Sequence, residues 1–233
     1  MVFTTDIFYP VSVTTITTST NSTNSTNNCA SILPSSSCST ISFDSPIYDD
    51  SHLPRVSYND ITDHKLLGRG AFGLARLVSL KLANGKTVPA VAKTSHKGLP
   101  ATAEALALYD LNGAGGAPIL YGITREDPQA VVMEYCPGVT LKRFLRSHSK
   151  EECLEAYDAM VKALTGFHAS GYTHGDLHGC NIIVDDSCRP YSIHFIDLGL
   201  AEKLTNEDES EDQENTEVDW AKLNYFNDEI NTK

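Results

Sequence analysis

From Leu66 to Thr94 apolar and polar positions alternate and Val and Leu are frequent. A two-residue period marks a half-buried strand. Asn84-Gly85 interrupts it midway, the strongest short hairpin signal because both residues tolerate positive φ. The pattern predicts three antiparallel strands, over about 62–68, 74–82 and 87–94. Residues 101–111 are dense in Ala, Leu and Glu and end near Asn112-Gly113, as a short helix does. Two more strands are expected at about 118–123 and 129–135. The period then changes. Leu154, Tyr157, Met160, Val161, Leu164 and Phe167 recur every three or four residues, one apolar face of a helix over about 151–169. Ile182-Ile183-Val184 and Ile193-His194-Phe195-Ile196 read as a hairpin around residues 185–190. The plan is α+β: a five-stranded antiparallel sheet with one helix, followed by a mainly helical lobe.

Composition changes this picture at both ends. Residues 14–42 are mostly Ser, Thr and Asn, with too few apolar side chains to offset the entropy of ordering, so residues 1–54 are expected to be disordered. The folded domain is expected over 55–233, with a first lobe to about 136 and a second from about 137. The net charge is −12, and eight of the acids fall within residues 207–219, which contain no base; the rest of the chain carries −4. Such a block repels itself and is expected as a solvated loop. The acidic balance argues against direct nucleic-acid binding. No run of about 18 apolar residues occurs, so no membrane-spanning helix is expected, and the first ten residues do not read as a secretory signal. Six cysteines without a Cys-x-x-Cys pair read as reduced thiols of an intracellular protein, in cytoplasm or nucleus alike.

Four segments carry candidate chemistry. Gly68-Arg69-Gly70-Ala71-Phe72-Gly73-Leu74-Ala75 lies between the first two strands, where glycines let backbone N–H groups approach phosphates closely. A strand follows these glycines, which disfavours a dinucleotide-binding fold, where a helix must follow. Ala90-Val91-Ala92-Lys93 ends the third strand, and Glu104 on the following helix is the natural carboxylate partner for Lys93. His174-Gly175-Asp176-Leu177-His178-Gly179-Cys180-Asn181 follows the long helix, and Ile196-Asp197-Leu198-Gly199 ends the next strand. An Asp in such a loop can take a hydroxyl proton, and Asn and Asp oxygens suit a hard cation such as Mg²⁺. Each segment alone has an ordinary reading: turn glycines, a solvated lysine, a capping Asp. All four in this order do not.

Together they resemble a protein kinase catalytic core, from about Leu66 to Leu200. The resemblance implies a bilobal kinase-like fold with a shortened helical second lobe, using ATP and Mg²⁺. It implies that Gly68 to Gly73, with Ala75 and Val91, cover the nucleotide and that Lys93, paired with Glu104, holds its phosphates. Met133-Glu134-Tyr135-Cys136 resembles the hinge that borders adenine. Asp176 corresponds to the catalytic base, and Asn181 and Asp197 to the Mg²⁺ ligands.

The chain also departs from that family. Gly175 replaces the arginine that precedes the catalytic Asp, which argues against regulation by activation-loop phosphorylation. His178 replaces a lysine two residues after it; an imidazole is only partly charged near neutrality, so weaker activity that improves as pH falls slightly is expected. Only 36 residues follow Asp197, and no Ala-Pro-Glu motif occurs. Residues 217–226 can form one closing helix, with Val218, Leu223, Phe226 and Trp220 on its apolar side. The His-Gly-Asp-Leu loop and Val-Asp-aromatic helix are similar to the small kinase of the KEOPS complex, and the loop type to aminoglycoside and choline phosphotransferases and lipopolysaccharide kinases. The expected function is a minimal Ser/Thr protein kinase; a small-molecule kinase and a nucleotide-binding pseudokinase are the alternatives. Its acceptor is expected to be a protein, favoured when basic, and a partner protein could complete the short second lobe.

Overall fold

A computed structural model describes residues 49–70, 73–95, 101–187, 189–205 and 209–233. The Ser/Thr/Asn-rich tract, and with it the expectation of disorder, lies outside the described residues. In chain order the strands and helices are β1 (Arg55–Val56), β2 (Ile61–Arg69), β3 (Gly73–Lys81), β4 (Thr87–Ser95), α1 (Thr102–Leu111), β5 (Leu120–Thr124), β6 (Ala130–Glu134), β7 (Val139–Thr140), α2 (Leu141–Ser147), α3 (Lys150–Ala169), β8 (Tyr172–Thr173), β9 (Ile182–Asp185), β10 (Ser192–Phe195), β11 (Glu202–Lys203) and α4 (Glu209–Asn231).

The first lobe is a sheet in the order β1-β5-β6-β4-β3-β2. The expected five strands are all present, and a sixth, β1, is added parallel to β5. Two residues are too short to show an alternation, so no sequence pattern could reveal it. Order also begins earlier than expected. Leu53 is buried, and Asp50 accepts from the Arg55 guanidinium at 2.7 Å. The Asn84-Gly85 hairpin is correct, but only Gly85 takes positive φ, at 80°. Asn84 serves through its side chain, whose Oδ1 accepts from Lys86 N at 2.9 Å.

Helix α1 packs one side of this sheet, and the core continues without a break into the second lobe. Leu108, Ile123 and Val131 from the first lobe and Met160, Leu164, Phe167 and Leu223 from the second belong to one buried cluster. Burying each such side chain contributes about 1.5–3 kcal/mol. The lobes meet closely where Gly115, at φ 58°, lies against α3; a Cβ there would stand 2.2 Å from Phe167 N.

Helix α3 starts at a capping box. Ser149 Oγ accepts from Glu152 N and the Glu152 carboxylate accepts from Ser149 N, at 3.2 and 2.9 Å. Its buried stripe is Cys153, Ala156, Met160, Leu164 and Phe167. Leu154, Tyr157 and Val161, expected on that face, are only partly buried at its border. Helix α2, too short for a periodic signal, was not expected.

The largest correction is the acidic run. The described part of it is no loop but the first turns of α4, which begins at Glu209 instead of about 217. Carboxylates are stabilised at a helix N-terminus by the backbone dipole, and Gln213 donates to Glu217 one turn on, at 2.7 Å. The run stays largely exposed, as its charge requires, until Asp219, which is fully buried. The buried row of α4 is Asp219, Leu223, Phe226 and Ile230; Val218, expected in it, is 44% exposed. Among the described residues no helix is long and apolar enough to cross a membrane.

Candidate active site

Strand β4 lies between β3 and β6 in the sheet. Alternation along it sends Ala90 and Ala92 into a small cluster with Val78, Leu80 and Val132, while Val91 packs on the main core. Lys93 shares the Val91 side. Its Nζ donates to Glu104 of α1 at 2.8 Å and makes a short contact to Asp197, 104 residues away in sequence. The lysine side chain is 11% exposed, Glu104 6% and Asp197 33%. Burial works against the Lys93 charge, but Glu104 and then Asp197 outweigh it and hold the ammonium above its ordinary pKa. Burial pushes the Glu104 carboxyl up, with Lys93 offsetting it. Two carboxylates therefore share one ammonium, and the cluster keeps a net negative charge that a further cation would neutralise.

Asp197 is one of two non-glycine residues at positive φ, at 65°, among the described residues. Asp tolerates that region, and there it turns the chain from β10 into the short 3-10 turn Leu198–Leu200.

The loop of residues 174–181 is held at both ends. At its start, Asp219 of α4 accepts from His174 N at 2.7 Å, Gly175 N at 3.2 Å and His168 Nε2 at 2.9 Å. His174 uses both ring nitrogens: Nε2 donates to Ile196 O at 3.1 Å, and Nδ1 accepts from Asp176 N at 3.3 Å. Burial lowers the His174 pKa despite nearby carboxylates, which keeps the ring in that neutral, two-sided form. At its far end, Gly179 O accepts from Lys142 N of α2 at 2.8 Å. Between them, Asp176 is 38% exposed at its side chain, and His178 Nε2 lies 3.7 Å from Asp176 Oδ2.

The Asn181 amide nitrogen donates to Asp176 O at 3.0 Å and to Asp176 Oδ2 at 3.3 Å. That commits its Nδ2 and leaves Oδ1 as the oxygen that could take a cation. No cluster of three or more His, Cys, Asp or Glu able to hold a metal occurs among the described residues. Two oxygen donors, with other positions left to phosphate and water, is a set Mg²⁺ accepts; the residues fit the ion.

Of the glycine-rich segment, Ala71 and Phe72 lie outside the described residues. Gly68 pairs with Ala75, and Ala75 with Lys93, across β2, β3 and β4. The first two glycines and the third differ in kind. A Cβ on Gly68 or Gly70 would meet nothing within 4 Å, whereas on Gly73 it would meet Thr94 O at 1.9 Å. Gly73 is therefore demanded by the sheet, whereas Gly68 and Gly70 have open space around them. Met133 is buried on β6 beside Val91. Glu134 N donates to Ile119 O, and its carboxylate accepts from Ile119 N at 3.2 Å. Tyr135 and Cys136 are half-buried in the connection to the second lobe. Burial and Glu134 push the Cys136 thiol up to about 12, so it stays a thiol.

Asp219 and the shape of Gly175 are the site features that sequence reasoning missed. Asp219 counts with the acidic run and also stands in the closing helix as the Asp of the Val-Asp-aromatic pattern; what went unread is its burial, which its helical register with Leu223, Phe226 and Ile230 could have shown. Gly175 takes φ 75°, and a Cβ there would stand 2.2 Å from Leu200 O. The arginine expected at this position by family resemblance has no room in this backbone.

Comparison with known proteins agrees with this arrangement. The model of the protein kinase domain matches residues 61–229. The chain belongs to that family. It is 27% identical over 161 residues to maternal embryonic leucine zipper kinase of Danio rerio, covering 65% of this chain and 23% of that protein. It is 38% identical over 72 residues to KEOPS complex subunit Bud32 of Pyrococcus abyssi, covering 31% of each. It is 29% identical over 109 residues to the probable serine/threonine-protein kinase PknB of Lactococcus lactis, covering 44% of this chain and 16% of that one. The matches thus span under a third of each relative's length.

Proposed function

We propose that this protein kinase transfers the γ-phosphate of ATP, with Mg²⁺, to a serine or threonine hydroxyl of a protein acceptor. The observation that carries the reading is the meeting of Lys93, Glu104 and Asp197, drawn from three distant elements into one largely buried cluster, with Asn181 hydrogen-bonded both to Ile196, which precedes Asp197, and to Asp176. In this reading Gly68 to Gly73, Ala75, Val91 and the Met133–Cys136 segment border the nucleotide, and Lys93 neutralises its phosphates while Glu104 fixes the lysine. Asn181 and Asp197 hold Mg²⁺, which supplies charge neutralisation at the phosphates. Asp176 accepts the hydroxyl proton, a role worth about 10²–10⁴-fold, and His178 beside it faces the transferred group. The exposed carboxylates at the start of α4 favour basic groups on an acceptor passing that end of the loop, and the short second lobe leaves acceptor binding open to a partner protein. Cys136, Cys153 and Cys180 are free thiols, in keeping with a reducing, intracellular setting.

The test supplies labelled ATP and Mg²⁺ with generic protein acceptors, alongside Lys93→Ala and Asp176→Ala. Labelling that both substitutions abolish supports the reading. Nucleotide binding without turnover at any protein concentration would make the chain a binding module. Within the reading, His178→Lys should raise turnover, because an ammonium brings a full positive charge to the transferred phosphoryl group. Lower or unchanged turnover would remove His178 from this role.

A further inference from the structure

Helix α2 carries Lys142, Arg143 and Arg146 on one arc, opposite the buried Leu141, Phe144 and Leu145. All three cations are exposed. The chain holds 30 acids against 18 bases, so a surface cation has carboxylates in excess to choose from. Arg55, Arg76, Lys93, Arg189 and Lys203 each find one, whereas isolated cations such as Lys65, Lys81 and Arg125 stay solvated. Among the described residues Lys142, Arg143 and Arg146 find none. What sets these three apart is that they share one arc of one short helix, and a clustered cationic face in an acidic protein suits an external anion.

Its position says which anion. Lys142 N donates to Gly179 O at 2.8 Å, and a Cβ on Gly179 would touch Lys142 Cβ at 3.3 Å. Gly179 follows Asp176 by three residues. The cationic face thus adjoins the far end of the loop whose start is held by α4. We infer that Lys142, Arg143 and Arg146 form an acceptor-docking face for acidic side chains, so that the acceptor protein carries carboxylates on the α2 side of its phosphorylated hydroxyl. This rests on the proposed phosphotransfer to a protein. A nucleic acid is the less fitting occupant. Helix α2 offers no exposed aromatic ring for stacking bases, and the net charge of −12 repels a long polyanion.

The test is direct binding, which needs no turnover. Labelled serine peptides are compared by fluorescence anisotropy at low salt: two carry glutamates on one side of the serine only, amino or carboxyl, the better binder of these being the glutamate peptide, and the control carries glutamines. The full chain should bind the glutamate peptide about five- to tenfold more tightly, an advantage fading with added salt, as expected for a few exposed ion pairs. In Lys142→Gln/Arg143→Gln/Arg146→Gln the advantage should vanish while ATP affinity is kept. Should that triple variant fail to fold, Arg143→Gln and Arg146→Gln singly, both at exposed positions, should each reduce it by about two- to threefold. No preference in the parent chain, or a preference that survives these substitutions, overturns the inference. Tight binding of a single-stranded RNA oligonucleotide that the triple variant loses, without any peptide preference, also overturns it. A glutamate preference that persists beside a complete lack of phosphotransfer would leave the docking face standing and remove the kinase reaction instead.

Discussion

Asp219 and Gly175 meet at the start of the 174–181 loop, one as an acceptor of three hydrogen bonds and the other as a backbone bend. Two of the donors to Asp219 are main-chain N–H groups, that of His174 buried and that of Gly175 part-buried, and a buried donor left without a partner costs about 1–3 kcal/mol. Asp219→Ala should therefore lower unfolding free energy by about 3 kcal/mol, with Asp219→Asn milder because one acceptor oxygen remains. Urea unfolding of the three proteins orders them. At Gly175 the cost of a side chain is both torsional and steric. Gly171 supplies the control, since it has a similar φ of 83° and nothing within 4 Å of a Cβ. Gly171→Ala should cost about 1 kcal/mol, and Gly175→Ala at least about 3 kcal/mol. Equal losses in thermal unfolding would show that Leu200 yields and that the bend alone sets the cost.

Among the elements, α3 ties most of the second lobe together, and its start is the part most exposed to a single change. Ser149→Ala removes the cap to Glu152 N and should cost about 1 kcal/mol of stability, read as a shift in denaturation midpoint. Ser149→Asp, which can also cap, should restore most of it. Glu152 has a second task, since Arg189 donates to it at 2.7 Å from beyond the β9 strand. Its replacement should cost more than that of Ser149. Helix α4 shows why elements differ in how well a sequence foretells them. Its acids repel, which argues for a loop, but the same acids sit well against the N-terminal end of a helix dipole. The apolar register of Leu223, Phe226 and Ile230 then anchors the helix to α3. Repulsion was legible; the anchor that outweighs it acts across the fold.

At the scale of the whole molecule, stability should depend on pH through His174. Its folded-state pKa is pushed below the ordinary 6.5, chiefly by burial. The unfolded chain takes up this proton as pH falls through 6.5 while the folded one resists it, so the folded state is favoured above that pH and loses ground below it. The loss should approach about 1.4 kcal/mol per pH unit until the folded value is reached. Denaturation midpoints at pH 7.5, 6.5 and 5.5 measure it; a flat profile would mean that the buried ring accepts its proton without cost.

Much of this molecule is local and therefore written along the chain. The alternation around Asn84-Gly85, the three- and four-residue spacing in α3 and the order of Gly68–Gly73, Lys93, Asp176–Asn181 and Asp197 determine the strands, the long helix and the candidate site residues, because each depends on neighbours within a few positions. What the tertiary structure alone decided lies between distant segments. The two-residue strand β1 exists only because β5 offers it an edge. Asp219 is a buried acceptor, not a solvated acid, because the N–H groups of His174 and Gly175 arrive from 45 and 44 residues away. The acidic run is a helix because its far end has a core to pack on, and Gly175 is a glycine because the Leu200 carbonyl passes beside it. In each case the deciding partner is supplied by packing, which periodicity along one segment does not encode.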